Sequence, residues 1–343
     1  MGSLGKQVLL TGGTGFIASH ILTELLDAGY QVVVTVRTEA KGRQLLESLS
    51  ETGDSDVSYV VVEEIAKEGA YEEALQSISA LDLVVHTASP YHLNYTNPKT
   101  DFLDPAINGT TGLLASVHAY APTVQRVVLT SSSATIVNPP NHPLVYDESS
   151  YGSVTWEDAM VPQFAYRASK IFAERAALDF IEREKPSFDL VTINPPLVFG
   201  PAPRHLKDLK ALNTSNHRIR DLILGRFKAE PAPLAMPFLF VDVRDVATAH
   251  RAALEVPEAS GQRFFIVAGH FSNKRIADAI RASHPQLADQ LPPSDAADDL
   301  PPNIFGFDNC RSREVLGMTY RDLDTCVGDA VAAMLERTCS QTR

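Results

Sequence analysis

The chain has 343 residues, 44% of them hydrophobic, and carries a formal net charge of −12 at pH 7. This length allows one large domain or two modest ones around a real core, and the acidic balance excludes a general nucleic-acid or anionic-membrane surface. No apolar run approaches the ~20 residues of a membrane span, and the cysteines lie near the C-terminus without metal-ligand spacing. We therefore expect a cytoplasmic protein with reduced cysteines, no metal, and no membrane or nucleic-acid partner.

The first predicted strand ends in a glycine turn that opens a helix. Residues 8–10 form the apolar run of a buried strand, and from Phe16 onward the hydrophobic residues recur at helical spacing. Between them, Gly12 and Gly15 have no side chains, so a ligand can approach the backbone closely. Ala18 is small enough for the helix to pack closely on the strand. Such a turn aims backbone amides and a helix N-terminus at one point, which suits the pyrophosphate of a dinucleotide.

A basic residue follows the second predicted strand, residues 31–36. Where an NAD site carries an acidic side chain for the ribose 2′-hydroxyl, this chain has Arg37, and Lys41 lies close behind. A guanidinium favours a 2′-phosphate, so the position predicts NADP(H) as the cofactor. The alternative is that Arg37 and Lys41 are solvated residues at the start of a surface helix.

Strands and helices alternate at short intervals through the first half of the chain. This order predicts an α/β fold, a doubly wound parallel sheet of the Rossmann type with helices on both faces. Ligands of such sheets lie beyond the carboxyl ends of the strands, which places Gly12, Arg37, Ser89 and Ser132 along one edge. The further elements predicted in this half are strands at 57–62, 81–87 and 126–129 and helices at 70–79 and 104–120.

The second half departs from this alternation. Residues 137–162 indicate a Pro, Asn and Ser-rich loop, and residues 200–237 indicate irregular substrate-domain material. We expect an NADP-binding domain (1–199 with 238–254 and 262–270) and a smaller, mostly helical C-terminal substrate domain (200–237 and 271–343). The elements predicted here are a helix from 164, strands at 190–193, 238–241 and 263–267, a helix from 242, and C-terminal helices interrupted at 291–302.

Tyr166 and Lys170 lie one turn apart on the same face of the helix predicted from residue 164. A free phenol has a pKa near 10, so a tyrosine that exchanges protons near neutral pH needs a pKa lowered by up to about three units. A neighbouring ammonium and a cationic nicotinamide both act in that direction. With the serine cluster at 131–133 after the fifth strand, the pair predicts a proton donor beside a nicotinamide.

Six motifs recur here in the order typical of one family. They are TGGTGFIA at 11–18, HTAS at 86–89, LTSSSA at 129–134, YRASK at 166–170, NPPLVFGP at 194–201 and FVDVRDVA at 240–247. The chain therefore resembles the extended short-chain dehydrogenase/reductases of the NAD-dependent epimerase/dehydratase superfamily. Within it, the chain most resembles the fungal methylglyoxal/isovaleraldehyde reductase-like ketoreductases and the plant dihydroflavonol and cinnamoyl-CoA reductases. HTASP from His86 and PAINGT from Pro105 are similar to the fungal group in particular.

The resemblance implies roles in carbonyl reduction for a few residues. Tyr166 would donate a proton to the carbonyl oxygen while hydride arrives from the nicotinamide. Lys170 would hold the nicotinamide ribose and lower the pKa of the tyrosine. Ser132 stands where the family has the serine that polarises the carbonyl, and Ser133 is the alternative. Asn108 would either join a proton relay or cap or kink a buried helix.

Cofactor contacts are implied along the whole strand-end edge. The family usually has aspartate where this chain has Glu64, so the hydrogen bond to adenine at that position is open. Pro195 and Val198 would border the nicotinamide. The implied NADP(H) contacts are Gly12, Thr14, Gly15, Phe16, Ile17, Arg37, Lys41, Glu64, Ile65, Thr87, Ala88, Ser89, Tyr166, Lys170, Pro195 and Val198.

An apolar, partly aromatic substrate pocket is expected next to the nicotinamide. Such a lining suits a ketone or aldehyde with a hydrophobic substituent, although simple core packing explains each residue equally well. The sequence thus predicts an NADPH-dependent carbonyl reductase, a monomer or homodimer that acts on a small carbonyl compound. The predicted lining is Tyr91, Ser133, Val137, Phe164, Leu197 and Phe238.

Two other functions stay open, a family epimerase or dehydratase and a non-catalytic dinucleotide-binding regulator. Arg167 and Arg37 weigh against a sugar-nucleotide epimerase, because such members carry glycine after the tyrosine and an acidic residue after the second strand. The retained Tyr166 and Lys170 weigh against a regulator. Residues 162–165 lack the aromatic and cysteine-bearing stretch of cinnamoyl-CoA reductases, so a CoA thioester is not expected as the substrate.

Overall fold

Parallel strands form a central seven-stranded sheet. The computed structural model describes residues 5–50, 56–89, 97–203, 212–228 and 238–340. In chain order, the described strands are β1 (Gln7–Thr11), β2 (Gln31–Val36), β3 (Val57–Val61), β4 (Leu83–His86), β5 (Arg126–Thr130), β6 (Val145–Tyr146), β7 (Asp189–Asn194), β8 (Leu197–Phe199), β9 (Leu239–Asp242), β10 (Arg263–Phe265), β11 (Gly269–His270) and β12 (Gly306–Phe307). The central sheet has the order β10-β7-β5-β4-β1-β2-β3.

Helices cover both faces of this sheet. In chain order, the described α-helices are α1 (Phe16–Asp27), α2 (Glu39–Ser50), α3 (Glu72–Ser77), α4 (Asp104–Tyr120), α5 (Trp156–Ala159), α6 (Pro162–Glu184), α7 (Thr214–Ile223), α8 (Val243–Glu255), α9 (Asn273–Ser283), α10 (Cys310–Leu316) and α11 (Leu323–Ser340). Of these, α7, α9 and α11 share an apolar cluster apart from the central sheet. Helices α1 and α8 share an apolar cluster with Leu10 and Val34, whereas α4 and α6 share another with Leu9 and Val84. Successive side chains of a strand point to opposite faces of the sheet. A strand that is covered on both faces is therefore apolar at consecutive positions of the sequence.

The predicted doubly wound sheet is confirmed. Its strand order reverses between β1 and β4, where a crevice opens beyond the carboxyl ends of the strands. Strand β2 and helix α4 have the predicted ends, while α3 is shorter than the predicted 70–79. In the part of the chain described, no helix has both the length and the apolar character needed to cross a membrane.

Three parts of the second half differ from the sequence-based expectation. The stretch at 200–237, expected to be irregular, contains α7, which buries Ile219, Leu222 and Ile223. Strand β9 pairs with β8 and β11 in a separate three-stranded sheet. The expected loop at 137–162 contains α5 and also β6, which pairs with β12. Strands of two or three residues are too short to show a period in the sequence.

Two glycines allow the turn between β1 and α1 to lie flat on β2. Gly12 has a φ of +69°, a conformation that favours glycine, and its N–H donates to Thr35 Oγ1 at 3.0 Å. A Cβ on Gly13 would lie 1.9 Å from Cγ1 of Val34. No side chain fits at that position while Val34 is present.

Replacing Gly13 with Ala is therefore expected to destabilise the protein by about 1 to 3 kcal/mol, the usual cost of overpacking. Replacing Val34 with Ala removes the obstructing methyl group. The double variant should consequently lose less free energy of unfolding than the sum of the two single variants, as measured by urea denaturation. Additive losses would contradict the steric explanation.

A partly buried ion pair joins the amino ends of β5 and β7, at the edge of the sheet opposite the crevice. Arg126 donates from Nε to Asp189 Oδ1 at 2.7 Å and from Nη2 to Oδ2 at 2.8 Å. Its Nη1 also donates to the carbonyl oxygens of Ala253 and Val256, at 2.8 and 2.6 Å. The pair thus ties two strands to the end of α8 on the far side of the sheet from the carboxyl-end crevice.

Candidate active site

A cleft of about 1290 Å³ lies at the carboxyl ends of the central strands. It is lined by the glycine turn, the segments that follow β4, β5 and β7, and helices α6 and α7. The cleft thus brings together residues that are far apart in the sequence. The predicted site residues that line it are Gly12, Thr14, Gly15, Phe16, Ile17, Arg37, Lys41, Ile65, Thr87, Ala88, Ser89, Ser132, Ser133, Val137, Phe164, Tyr166, Lys170, Pro195, Leu197 and Val198.

Three other predicted residues are described but do not contribute to this lining. Glu64 is exposed, so its position gives no support for a hydrogen bond to adenine. Asn108 is exposed on α4, which gives no support for a proton relay. Phe238 is 2% exposed and is not a lining residue. Tyr91 lies outside the described residues.

The first turn of α1 offers backbone amides to the cleft. The first N–H groups of a helix have no partner within the helix, and the N-cap residue Gly15 has no side chain to accept them. Phe16 and Ile17 of this turn line the cleft, and the turn contains no acidic residue. A helix N-terminus of this kind fits an anionic group, so the residues present fit the pyrophosphate of a dinucleotide.

Thr11 fastens the ends of β1 and β4 to each other. Its Oγ1 accepts the N–H groups of Thr87 and Ala88, both at 3.1 Å, so its own hydrogen points to Nδ1 of His86 at 2.7 Å. The hydrogen-bond pattern therefore assigns the hydrogen of His86 to Nε2. Burial, assisted by the charge of Lys170, lowers the pKa of His86 to about 3 and keeps this imidazole neutral.

Three serines follow β5, and all three line the cleft. The hydroxyl of Ser131 donates to the carboxylate of Glu174 and is not available to a ligand. Ser132 Oγ accepts the N–H of Ala134 at 3.1 Å, which orients the hydroxyl and leaves its hydrogen to donate. The backbone N–H of Ser133 donates to Pro195 at 2.8 Å.

Tyr166 and Lys170 line the cleft from α6. Buried Ala165 and Ala168 lie between and beside them, and these small side chains allow the helix to pack closely against its neighbours. Burial lowers the pKa of Lys170 to about 8, while the carboxylate of Glu174 one turn further along acts in the opposite direction. At neutral pH the side chain of Lys170 is therefore still mostly an ammonium.

Glu174 is a buried carboxylate behind the serines, and motif analysis did not identify it. Its Oε1 accepts Nε of Arg263 at 2.8 Å, and its Oε2 accepts Asn194 Nδ2 at 2.7 Å and Thr135 Oγ1 at 3.0 Å. The side chains of Glu174 and Arg263 are only 3% and 7% exposed. Nothing local in the sequence distinguishes Glu174 from a solvated glutamate on a helix, because its partners lie on other elements.

Arg37 and Lys41 line the cleft beyond the end of β2. Both side chains are exposed, Arg37 directly after the strand and Lys41 in the first turn of α2. The interpretation of Arg37 and Lys41 as solvated residues is therefore compatible with their interpretation as cofactor contacts. Both residues are solvated at the start of a surface helix, and both also face the region that a dinucleotide would occupy.

Helix α7 adds polar residues that motif analysis missed. Asn213, its N-cap, donates from Nδ2 to the carbonyl oxygen of Val198 at 3.2 Å, which ties α7 to the segment after β7. An asparagine before a stretch with apolar residues at helical spacing is a helix start signal that could have identified this element. The residues of this region that line the cleft are Asn213, Thr214, Ser215, His217, Arg218 and Asp221.

Known proteins resemble this chain over nearly its whole length. The model of the NAD dependent epimerase/dehydratase family matches residues 8–268. The ketoreductase azaE of Aspergillus niger is 80% identical over 337 residues, which cover 98% of this chain and 100% of that protein. A putative NADPH-dependent methylglyoxal reductase of Candida albicans, GRP2, is 37% identical and covers 97% of this chain and 99% of its own.

A solved structure of Gre2 from Candida albicans in complex with NADPH has the same fold. Its TM-score is 0.90 at 34% sequence identity, with 97% of this chain and 99% of that chain covered. The resemblance that the sequence motifs indicated is thus confirmed by sequence and by structure. The chain belongs to the NAD dependent epimerase/dehydratase family, the extended short-chain dehydrogenase/reductases.

Proposed function

We propose that this protein is an NADPH-dependent carbonyl reductase that converts a ketone or an aldehyde to an alcohol. The observation that carries the proposal is that Ser132, Tyr166 and Lys170 line one cleft together with the glycine turn. The 80% identity to a protein named ketoreductase and the similarity to a Gre2 structure solved with NADPH support it. NADP(H) is the cofactor, and a small carbonyl compound is the substrate.

The side chains of the cleft provide the proton and the charge that reduction needs. When bound, NADPH supplies the hydride that reaches the carbonyl carbon. Ser132 donates a hydrogen bond to the carbonyl oxygen, and Tyr166 transfers its phenolic proton to the same oxygen as negative charge develops there. Lys170, still cationic at neutral pH, stabilises the phenolate that remains. We assign the carbonyl contact to Ser132 rather than Ser133 because the N–H of Ala134 orients its hydroxyl.

The residues of the cleft would hold the cofactor from the end of β2 to the segment after β7. The first-turn amides of α1 would hold the pyrophosphate, and Arg37 with Lys41 would bind the 2′-phosphate. Pro195 and Val198 would border the nicotinamide, and Ile65, Thr87, Ala88 and Ser89 would line the remaining length. This arrangement is supported by the shared cleft.

Apolar side chains make the substrate end of the cleft. Val137, Phe164 and Leu197 lie in its lining near Tyr166, which suits a carbonyl compound with a hydrophobic substituent. Phe238 is left out of this proposed lining because it is buried and does not line the cleft. Tyr91 is left out because it lies outside the described residues.

Purified protein is expected to oxidise NADPH with several members of a panel of ketones, aldehydes, α-dicarbonyls and β-keto esters. The fall in absorbance of the reduced nicotinamide measures turnover, and a reaction without carbonyl compound provides the baseline. Binding of NADPH without turnover across the panel would count against the reductase and favour a non-catalytic dinucleotide-binding regulator.

We also propose that residues 1–199, 238–254 and 262–270 form the NADP-binding domain and that 200–237 and 271–343 form the substrate domain. The first set contains all strands of the central sheet. Helices α7, α9 and α11 of the second set share one apolar cluster, which supports the division. The cytoplasmic location and the monomeric or homodimeric state stay predictions.

A further inference from the structure

We propose that Glu174 is a positioning residue for carbonyl reduction, because its buried carboxylate holds the serine turn (residues 131–135) against the helix that carries Tyr166 and Lys170. The inference rests on the proposed function of the same cleft. Glu174 does not line that cleft itself and does not reach the reacting atoms. It acts through the backbone of the serine turn and through the charge it places near Lys170.

The carboxylate joins four separate parts of the site. Ser131 and Thr135 donate to it from the two ends of the serine turn. Asn194 donates from the end of β7 at 2.7 Å, and Arg263 donates from the start of β10 at 2.8 Å. All of these donors converge on one nearly fully buried side chain of α6. Displacing Glu174 therefore breaks contacts to two strand ends and the serine turn at once.

Two of these donors also hold Ser132. Thr135 Oγ1 lies 2.9 Å from the carbonyl oxygen of Ser132 and 3.0 Å from Glu174 Oε2, so its single hydrogen is shared between these two acceptors. Asn194 Nδ2 lies 3.4 Å from the same carbonyl oxygen. Ser131 directly precedes Ser132 in the chain. The position of the Ser132 hydroxyl relative to α6 thus depends on groups that Glu174 holds.

The charge of Glu174 acts on the proton-transfer pair. Glu174 lies one helical turn from Lys170 and two turns from Tyr166 on α6. Titratable and charged groups face this cluster from several other elements: His86 at the end of β4, Arg263 on β10, and Glu148 and Tyr151, which both contact the guanidinium of Arg263. His86 is neutral, so Glu174 is the described carboxylate that favours the charged form of Lys170 against the effect of burial.

A buried ion pair without a positioning role would affect stability alone. The pair between Arg126 and Asp189 provides that comparison, since it joins β5 and β7 at the edge of the sheet opposite the cleft. It also joins an arginine to a carboxylate, although Asp189 is 28% exposed, and the hydrogen bonds of Arg126 beyond the pair go to the end of α8 rather than to the serine turn.

Replacing Glu174 with Gln is expected to lower kcat by about ten-fold or more while KM for NADPH stays within about two-fold of wild type. The high-pH limb of kcat/KM should also move to lower pH. Removing a negative charge favours proton loss from either member of the Tyr166 and Lys170 pair, so the direction does not depend on which of them titrates. Steady-state kinetics across a pH series on folded enzyme, verified by circular dichroism, provide both readouts.

Two control variants separate positioning from stability. Arg263→Gln disturbs the same cluster but keeps the carboxylate, so its high-pH limb should not move to lower pH. Asp189→Asn breaks the distant ion pair and should lower the melting temperature while kcat stays within about two-fold of wild type. A wild-type kcat and pH profile in Glu174→Gln, or the same downward shift in Arg263→Gln, would overturn the proposal.

Variants that leave no charge unpaired decide the question if Glu174→Gln does not fold. Ser131→Ala and Thr135→Val each remove one neutral donor to the carboxylate, and each is expected to lower kcat by about three-fold or more with KM for NADPH unchanged. Wild-type kcat in both would overturn the positioning role. An inactive wild-type enzyme would instead count against the proposed function, because every variant is measured relative to it.

Discussion

Replacing Tyr166 with Phe is expected to lower kcat for carbonyl reduction by at least about 10²-fold, the usual loss when a general acid is removed. Phenylalanine keeps the ring and therefore the packing of α6, but it has no proton to give to the carbonyl oxygen. The affinity for NADPH should change little, because the glycine turn and Lys170 are intact. Steady-state reduction assays and a fluorescence titration with NADPH measure the two quantities separately.

Lys170→Ala is the matched comparison for this variant. In the proposed mechanism the ammonium both holds the nicotinamide ribose and stabilises the phenolate, so its removal should lower kcat and weaken NADPH binding together. We therefore expect both variants to lower kcat and only Lys170→Ala to weaken NADPH binding. Near-normal reduction by Tyr166→Phe would show that another group supplies the proton and that the proposed mechanism is wrong.

The wild-type enzyme is expected to prefer NADPH over NADH by at least about ten-fold in kcat/KM. A charge-assisted contact to phosphate contributes about 1.5 to 3 kcal/mol, and each 1.4 kcal/mol corresponds to about a ten-fold ratio. We assign that contact to Arg37, which lines the cleft beyond the end of β2. NADH has no 2′-phosphate and cannot form it. Replacing Arg37 with Ala should therefore erase most of the preference by weakening NADPH rather than by improving NADH.

Lys41 provides the internal control for cofactor choice. It lines the same part of the cleft, but its flexible ammonium acts as a point charge and cannot form the paired hydrogen bonds of a guanidinium. Lys41→Ala should consequently reduce the preference less than Arg37→Ala does. Kinetics with both cofactors on the three enzymes measure the effect. Equal use of NADH and NADPH by the wild-type enzyme would refute the assignment of Arg37.

The central sheet could be predicted because its strands are buried on both faces. Strand β2 is a continuous β-branched run, and its ends at Gln31 and Val36 agree with the prediction. The two small sheets could not be predicted, because β6, β11 and β12 have only two residues each. The pairing of β6 with β12 joins segments that are remote in the chain, and no local pattern encodes such a contact.

The site could be predicted where a residue type has a local reason for its place. Gly12 was predicted from the turn between strand and helix and has a positive φ of +69°, and the spacing of Tyr166 and Lys170 follows from the helix. Glu174 could not be recognised, because its burial depends on Arg263 from a strand that arrives much later in the chain. The polar face of α7 was missed for a different reason, since the proline-rich and basic surroundings obscured a short helix.

The late position of β10 has a consequence for synthesis on the ribosome. Arg263 begins the last strand to join the central sheet, so a nascent chain that ends before it leaves the carboxylate of Glu174 without its cation. In such a chain β7 is also an open edge with unpaired backbone groups. The part that carries Tyr166 and Lys170 therefore cannot complete its packing as it emerges, and its open edge stays exposed to other chains until β10 has been translated.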